Sequence, residues 1–292
     1  MHLNSFAAND YLYVKPGHLY VVATPIGNRD DITLRALYVL KNVNLIAAED
    51  TRQTAKLLSF YQIKNKLISF HEHNEKQRTA LLINKLKKGI CIALVSNAGT
   101  PTISDPGYRL VNAAAKSEIP VVPIPGVCAP AAALSVSGLP TDSFVFLGFL
   151  DRKKQKRLRQ IESIKNEKKT IIIYESPRRI LALLCELNEL ISNRFAILAR
   201  EMTKIHEEFL RGSINDLKKE LINRPDIKGE CTLLLAGQNE EPVLLKTIRK
   251  EIENELKAQG SSVSQSSKVL AKKYNVSRKT IYDEILKIKS EK

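Results

Sequence analysis

The feature that most constrains this chain is an alternation. Short β-branched apolar runs take turns with segments whose apolar residues recur at helical spacing. "LYVVATP", "LIAAED", "LISF" and "CIALVS" read as strands; "ITLRALYVLKNV", "TAKLLSFYQ" and "KQRTALLINKLKKG" read as the helices between them, the last with Gly89 as C-cap. Such a β-α-β-α order predicts a parallel or mostly parallel sheet covered by helices. In sheets of that kind, ligands bind beyond the carboxyl ends of the strands, so the residues that leave each strand are the ones to inspect.

Those exits are chemically dressed. The first is "ATPIGNRDDIT", the second "AAEDTRQT" with Glu49, Asp50, Thr51 and Arg52, and the third "SFHEHNE" with His71, His73, Asn74 and Glu75. The fourth, "LVSNAGTPTISDPGYRL", spends glycine, two prolines and small hydroxyls on one connection. Gly99 lets backbone approach a ligand closely, while Pro101 and Pro106 stiffen the loop and reduce what ordering it costs. "PIPGVCAPAAA" and "YESPRR" add two more. Turn chemistry alone accounts for one such exit; six together predict a ligand cleft. No GxxxxGK[ST] is present and no GxGxxG follows a strand, which argues against an NTPase or a common dinucleotide dehydrogenase.

After the Pro-punctuated "IPVVPIPG", read as an extended bridge, a second α/β unit follows. It comprises "APAAALSVSGL", "FVFLGFL", a basic run from Asp151 to Lys169, "TIIIYESP", "RRILALLCELNELI", "RFAILARE", "HEEFLRGS", "INDLKKELIN" and "ECTLLLAG". The last fifty or so residues read as a charged amphipathic helix and then two short helices around Tyr274-Asn275-Val276. Ser277 would cap the second, and Val269, Leu270, Val276, Ile281 and Ile285 would form a small core. That is helix-turn-helix spacing; a small helical dimerisation cap fits it equally well. The expected architecture is therefore α/β. It has an extension at 1–18, an N-terminal α/β domain at 19–122, a C-terminal α/β domain at 123–238 and a helix-turn-helix-like tail at 243–292.

Composition narrows the partners. The 292 residues carry a formal net charge of +15, which points to a polyanion such as nucleic acid or an anionic membrane, the alternative being a generally Lys-rich proteome. Arg152, Lys153, Lys154, Lys156, Arg157 and Arg159 form a dense run; Arg178 and Arg179 follow, and Lys272, Lys273, Arg278 and Lys279 lie in the tail. These are the candidate nucleic-acid contacts, with a solvated helix face as the alternative for the first cluster. The four cysteines, Cys91, Cys128, Cys185 and Cys231, sit singly in apolar runs and read as reduced core thiols. No ligand cluster at metal spacing is visible, so no metal is expected. No apolar run approaches the roughly 20 residues a membrane span needs, and the start has no targeting pattern, so a cytoplasmic protein is expected.

The loops taken together carry a resemblance. "VATPIGNRDDITLRAL", "AAEDTRQT", "LVSNAGTPTISDPGYRLV", "PIPGVCAPAAALSVSGLPT", "YESPRR", "LAREMTKIHEE" and "KGECTLLLAG" occur in that order between Leu19 and Gly237. The chain thereby resembles the ribosomal RNA small subunit methyltransferase I family, within the tetrapyrrole methylase superfamily. The resemblance implies two α/β domains of tetrapyrrole-methylase type with S-adenosyl-L-methionine in the cleft between them, usually in a homodimer. It also implies methylation of the ribose 2′-hydroxyl of a cytidine in the decoding region of 16S rRNA, free or in the 30S subunit. Carried over by motif, the cofactor contacts are Pro25 and Gly27; Asn97, Ala98, Gly99, Thr100 and Pro101; Gly126, Val127, Cys128 and Ala129; Tyr174 and Glu175; and Glu230, Cys231 and Thr232. Three positions depart from the family pattern: Asn97 stands where Asp is usual, Val127-Cys128 where Pro-Ser is usual, and Arg178 where His is common. An amide at 97 still accepts a hydrogen bond but loses the attraction to a cationic cofactor.

Methyl transfer from a sulfonium is an in-line displacement onto a hydroxyl that must shed its proton, so a base or a field favouring the alkoxide is needed. Candidates are Asp50, His71, Glu75, Glu175 and Glu201, with Arg52, Arg200 and Lys204 steadying a phosphate or oxyanion. The alternative is that "AAEDTR" and "LAREMTK" form interdomain ion pairs. Two other readings remain at this point: a small-molecule methyltransferase of tetrapyrrole type, and a non-enzymatic nucleic-acid-binding protein that uses the tail.

Overall fold

A computed structural model describes residues 14–191 and 194–238 and, beyond them, residues 252, 263–274, 281, 282, 285, 286 and 288. Residues up to Gln238 form one compact unit and residues from Asn239 another.

The first unit contains two five-stranded sheets. The first sheet is built from β1 (Leu19–Val22), β2 (Leu45–Ala48), β3 (Leu67–Ser69), β4 (Ile92–Val95) and β5 (Val121–Ile124), in the order β3-β2-β4-β1-β5, and every pairing is parallel. Its crossovers are α1 (Leu34–Asn42), α2 (Thr51–Phe60), α3 (Glu75–Lys87) and α4 (Tyr108–Lys116). Strand periodicity explains the two layers. Val22, Ile46, Ala48 and Val95 pack with Val39 and Leu40 of α1 and Leu58 of α2, while their neighbours Leu19, Ala47 and Leu94 pack with Leu82 and Leu86 of α3 and Leu110 of α4. The stretch read as a bridge is itself a strand: β5 pairs with β1 and runs to Ile124, past the boundary drawn at 122. It lies on the sheet edge, where Pro123 forfeits no necessary ladder bond.

The second sheet comprises β6 (Phe144–Phe149), β7 (Thr170–Glu175), β8 (Phe195–Arg200), β9 (Glu208–Ser213) and β10 (Cys231–Leu235), in the order β6-β7-β10-β8-β9. Pairing in this sheet is mixed. Only β6–β7 is parallel; β7–β10, β10–β8 and β8–β9 are antiparallel. The reason is connective. β8 and β9 are joined by a short loop, which permits only an antiparallel return, whereas a parallel crossover needs a dozen or more residues. α5 (Ala129–Ser135), α6 (Lys154–Ser163), α7 (Ile180–Leu190) and α8 (Ile214–Ile222) complete this half. Ile171, Ile173, Leu198 and Leu233 pack under α7 and α8, and the opposite sheet face meets α5. That second core also takes in Ile26, Ala98 and Val127 from the loops of the first half, so the two halves share an apolar seam.

In the second unit, α9 (Val263–Tyr274) contributes Leu270 to a buried cluster with Ile252, Ile281, Ile285 and Ile288. Leu270, Ile281 and Ile285 were expected in this core. Val269 is not part of it, being 56% exposed, because its neighbour Leu270 occupies the inward position. Val276, Ser277, Arg278 and Lys279 lie outside the described residues, as do the side chains of Lys272 and Lys273.

Candidate active site

At the centre of the first sheet, β1 and β4 lie side by side and send their connections in opposite directions, β1 towards β2 and β4 towards β5. This is the topological switch at which open α/β sheets form crevices. The two loops leaving these strands pair there. Thr24 N–H donates to Gly99 O at 2.8 Å and Gly99 N–H returns to Thr24 O at 2.9 Å. Gly99 has φ +76°, a backbone setting that glycine alone adopts without cost. Thr100 Oγ1 then donates to Val127 O at 2.9 Å, tying the loop to the start of α5.

A cavity of about 390 Å³ opens beyond this bridge. From the first half it is lined by Ile26, Glu49, Asn97 to Thr100 and Ile103 to Asp105; from the second, by Cys128, Ala129, Phe149, Tyr174 to Pro177, Met202 and Glu230 to Thr232. Antiparallel pairing explains how two distant motifs meet: Thr232 faces Tyr174 and Cys231 faces Glu175 across the β7–β10 ladder. Burial pushes the Tyr174 hydroxyl up and lifts the Cys231 thiol to about 11, so both are neutral near pH 7. The lining carries four carboxylates, Glu49, Asp105, Glu175 and Glu230, and among the described residues no Lys, Arg or His. An acid-lined, partly apolar cleft in a chain of net charge +15 favours a cationic small molecule over an anion.

Of the residues expected at the cofactor, Asn97, Ala98, Gly99, Thr100, Cys128, Ala129, Tyr174, Glu175, Glu230, Cys231 and Thr232 line the cavity. Pro25, Gly27, Pro101, Gly126 and Val127 are not among the lining residues. Gly27 makes room for a neighbouring segment instead. A Cβ there would come within 2.5 Å of the Lys204 side chain and 2.6 Å of Thr203 Oγ1, so the glycine admits the loop after β8. Gly126 likewise packs on Ala23, whose Cβ would lie 2.8 Å from an added one. The departure at Asn97 is locally silent, since Asn97 Oδ1 accepts from Asp50 N–H at 3.1 Å and its own N–H donates to Glu49 Oε2 at 3.0 Å. Backbone strain gathers around the same cleft. Thr102 (φ +75°) and Ser104 (φ +63°) lie on one side, and Glu201 (φ +49°) and Thr203 (φ +64°) on the loop after β8. Such conformations cost of order 1–3 kcal/mol each and persist where the surroundings fix them.

The expected catalytic set is mostly structural. Asp50 caps α2 and pairs with Arg52 at 3.0 Å; hydrogen bonds from Arg52 hold its carboxyl at about 2, too weak a base for a hydroxyl. Glu75 is buried with Oε1 accepting from Gly107 N–H at 3.0 Å and Arg109 N–H at 3.1 Å, which anchors the start of α4. His71 lies off the cavity, with Nε2 3.2 Å from the Asn74 side-chain amide. Glu201 accepts from Lys204 Nζ at 2.8 Å and from Glu230 N–H at 2.9 Å, and the Lys204 bond, followed by that backbone contact, holds its carboxyl low. Burial pulls the Lys204 ammonium down, but its bonds to Glu201 and Glu230 prevail and leave it raised. Arg200 pairs with Glu208. Only Glu175 of the proposed bases faces the cavity, and it is already engaged by Arg179 at 3.1 Å.

The basic run divides. Arg152, Lys153, Lys154, Lys156 and Arg159 are exposed, as is Arg178. Arg157 is not: its side chain is 12% exposed and clamps Glu186 through two bonds of 2.7 Å, while Nη1 donates to the Asp151 and Arg152 carbonyls. Arg157 and Arg179 are therefore structural cations. Residues that the sequence alone does not single out as site residues include Ile26, Phe149, Ser176 and Met202, and above all Asp105. "SDPG" carries the signature of a turn, which hides an acid in a binding wall.

A family model described as Tetrapyrrole (Corrin/Porphyrin) Methylases matches residues 18–218. A protein of Halalkalibacterium halodurans named ribosomal RNA small subunit methyltransferase I is 49% identical over 225 residues, 77% of this chain and 78% of its own. One of the same name from Synechocystis sp. is 45% identical over 280 residues, 94% of this chain and 99% of its own. The chain belongs to this methyltransferase family. Its fold is shared more widely. Uroporphyrin-III C-methyltransferase from Thermus thermophilus, solved with S-adenosyl homocysteine, superposes with a TM-score of 0.53 at 15% identity, covering 75% of this chain and 97% of that one. Diphthine synthase superposes with 0.57 at 14% identity, covering 75% and 89%. The fold is thus kept at low identity, and fold alone does not fix the substrate.

Proposed function

We propose that the chain is an S-adenosylmethionine-dependent methyltransferase of 16S ribosomal RNA, acting on the ribose 2′-hydroxyl of a cytidine in the decoding region. The observation that carries the cofactor reading is the cleft lining: four carboxylates and no cation at the switch point of a parallel sheet. S-adenosylmethionine brings a sulfonium and an ammonium, and when bound it supplies an activated methyl group. The backbone from Asn97 to Thr100, the start of α5 at Cys128 and Ala129, and the paired ends of β7 and β10 would hold it. Ile26 and Met202 supply apolar wall, and the carboxylates supply the field that a cation prefers. Lys204, fixed between Glu201 and Glu230, ties that wall together.

The substrate reading rests on the relatives' name and on a separate surface. An acidic cleft repels phosphate, so the RNA backbone would run outside it, over Arg152, Lys153, Lys154, Lys156, Arg159 and Arg178, with one nucleotide turned inward to present its ribose. Phosphate contacts set affinity and register, and the cleft selects the nucleotide. The assembled 30S subunit or free 16S rRNA is the partner, the chain works as a homodimer, and the setting is the cytoplasm. Among the described residues no helix is long and apolar enough to cross a membrane.

The test is methyl transfer from labelled S-adenosylmethionine to undermethylated 30S subunits, free 16S rRNA and a tetrapyrrole acid in parallel. Label in 16S rRNA is expected. Label confined to the tetrapyrrole would establish the small-molecule reading instead, and failure to bind the cofactor at all would favour a non-enzymatic RNA-binding role.

A further inference from the structure

The four carboxylates of the cleft are not equivalent. Glu49 Oε2 accepts from Asn97 N–H at 3.0 Å. Glu175 accepts from Ser176 N–H at 2.8 Å and faces the Arg179 guanidinium at 3.1 Å. Glu230 is bonded to Lys204 Nζ at 3.1 Å. The Ser96 hydroxyl, which lies beside Asp105 and also 3.2 Å from Ala98 O, is neutral, and no ion pair among the described residues reaches Asp105. Of the four lining acids, Asp105 is the one with neither an ion pair nor a backbone N–H donor among the described residues.

Its placement is also distinct. Asp105 follows Ser104, whose φ is +63°, and precedes Pro106 and Gly107, whose N–H is held by buried Glu75. The carboxylate therefore sits on a segment fixed from behind. Ile103 and Phe149 line the same cavity yet stay 38% and 56% exposed, so they mark its open side, and Asp105 lies close along the chain to Ile103. Asp105 therefore lines the same cavity that an acceptor entering from solvent past Ile103 and Phe149 would reach.

We propose that Asp105 is the proton acceptor for the acceptor hydroxyl, an assignment that rests on the ribose reading above. As the 2′-oxygen forms its bond to the methyl carbon, the O–H bond breaks and the proton passes to a carboxylate oxygen of Asp105. The carbon–sulfur bond breaks with its electron pair left on sulfur, turning the sulfonium into a neutral thioether. Asp105 then releases the proton to solvent. A base needs a pKa near the working pH. Burial is the largest influence on Asp105; the Ser96 hydroxyl opposes it, the Glu49 and Glu230 charges reinforce it, and the carboxyl stands at about 6. The other titratable groups around it are Cys128, Tyr174, Glu175 and Cys231, none of which is a cation.

The experiment has two readouts. In the cofactor-free protein, carboxyl-carbon NMR should find an acid titrating at about 6 that the Asp105→Asn variant lacks. In single-turnover transfer to 30S subunits, the wild-type rate should rise with pH as the carboxyl ionises. Asp105→Asn should lower that rate by roughly 10²–10⁴-fold and flatten the rise, with S-adenosylhomocysteine affinity held within about threefold. Asp105→Glu should keep the rise and part of the rate. An Asp105→Asn enzyme as fast as wild type, with the rise intact, would overturn the assignment. So would a loss of affinity matching the loss of rate, which would make Asp105 a cofactor ligand. A wild-type protein that binds the cofactor product yet methylates no ribose would sink the ribose reading and this assignment with it, a result distinct from an active enzyme indifferent to Asp105.

Discussion

The cleft and the exposed face around α6 carry opposite charge. The cleft presents four carboxylates and no cation among the described residues, while Arg152, Lys153, Lys154, Lys156 and Arg159 stand in solvent. One is a cavity flanked by strained backbone; the other is a solvent-exposed helix surface. The contrast teaches that a net charge of +15 describes only one of two binding surfaces. A cation-seeking pocket and a phosphate-seeking face cannot coincide, so cofactor affinity and RNA affinity should be separable by mutation and by salt.

The largest effect that would break the cleft side is at Gly99. Valine at φ +76° puts a β-branched residue in a left-handed conformation and disrupts the bridge to Thr24. Cofactor binding by calorimetry should fall by more than about 100-fold, the equivalent of about 3 kcal/mol, with circular dichroism unchanged. Unchanged affinity would place the cofactor elsewhere. Next comes a contrast inside the basic run. Arg157→Ala leaves Glu186 nearly buried and unpaired and should cost about 3–5 kcal/mol in denaturant unfolding. Arg159→Ala, at an exposed position, should cost within about 0.5 kcal/mol. Equal costs would erase the division drawn between structural and surface cations.

Neutralising the five exposed cations together should weaken RNA binding and reduce the slope of log affinity against log salt by about 0.7–0.9 for each phosphate no longer neutralised. S-adenosylhomocysteine affinity should not move. An unchanged salt slope would shift the RNA footprint to Arg178 or the tail. The smallest effect on the cofactor is expected at Asn97. Asn97→Asp can still accept the Asp50 N–H, and it adds one negative charge to the cleft lining. Affinity for S-adenosylmethionine should rise by about 3- to 10-fold, less at high salt, with little change in that for the uncharged-sulfur product. Weaker binding would show that the fifth charge is repelled by Glu49 rather than used by the ligand.

Much of the fold was legible because it is local. Strand and helix periods located the elements of the first sheet, and the dressed ends of β1, β2 and β4 are where the cavity lies. What was not legible depends on partners far along the chain. The direction of β8, β9 and β10 is set by pairing, not by composition. Arg157 looks like its neighbours until Glu186 arrives from α7. Glu75 looks catalytic beside two histidines until Gly107 and Arg109 present their N–H groups to it. Asp105 reads as a turn residue because a turn is also what it forms. Glu49 and Glu175 were named at their strand exits, but which cavity acid lacks an ion pair is a property of three-dimensional charge pairing.

The most direct test of the ribose methylation is the chemistry of the product. After reaction with 30S subunits, 16S rRNA is digested to nucleosides and the methylated species is identified by mass spectrometry against base-methylated and ribose-methylated standards. A single new 2′-O-methylcytidine is expected, formed by wild type and nearly lost in Asp105→Asn. Methyl groups on a base nitrogen or carbon, with none on ribose, would contradict it.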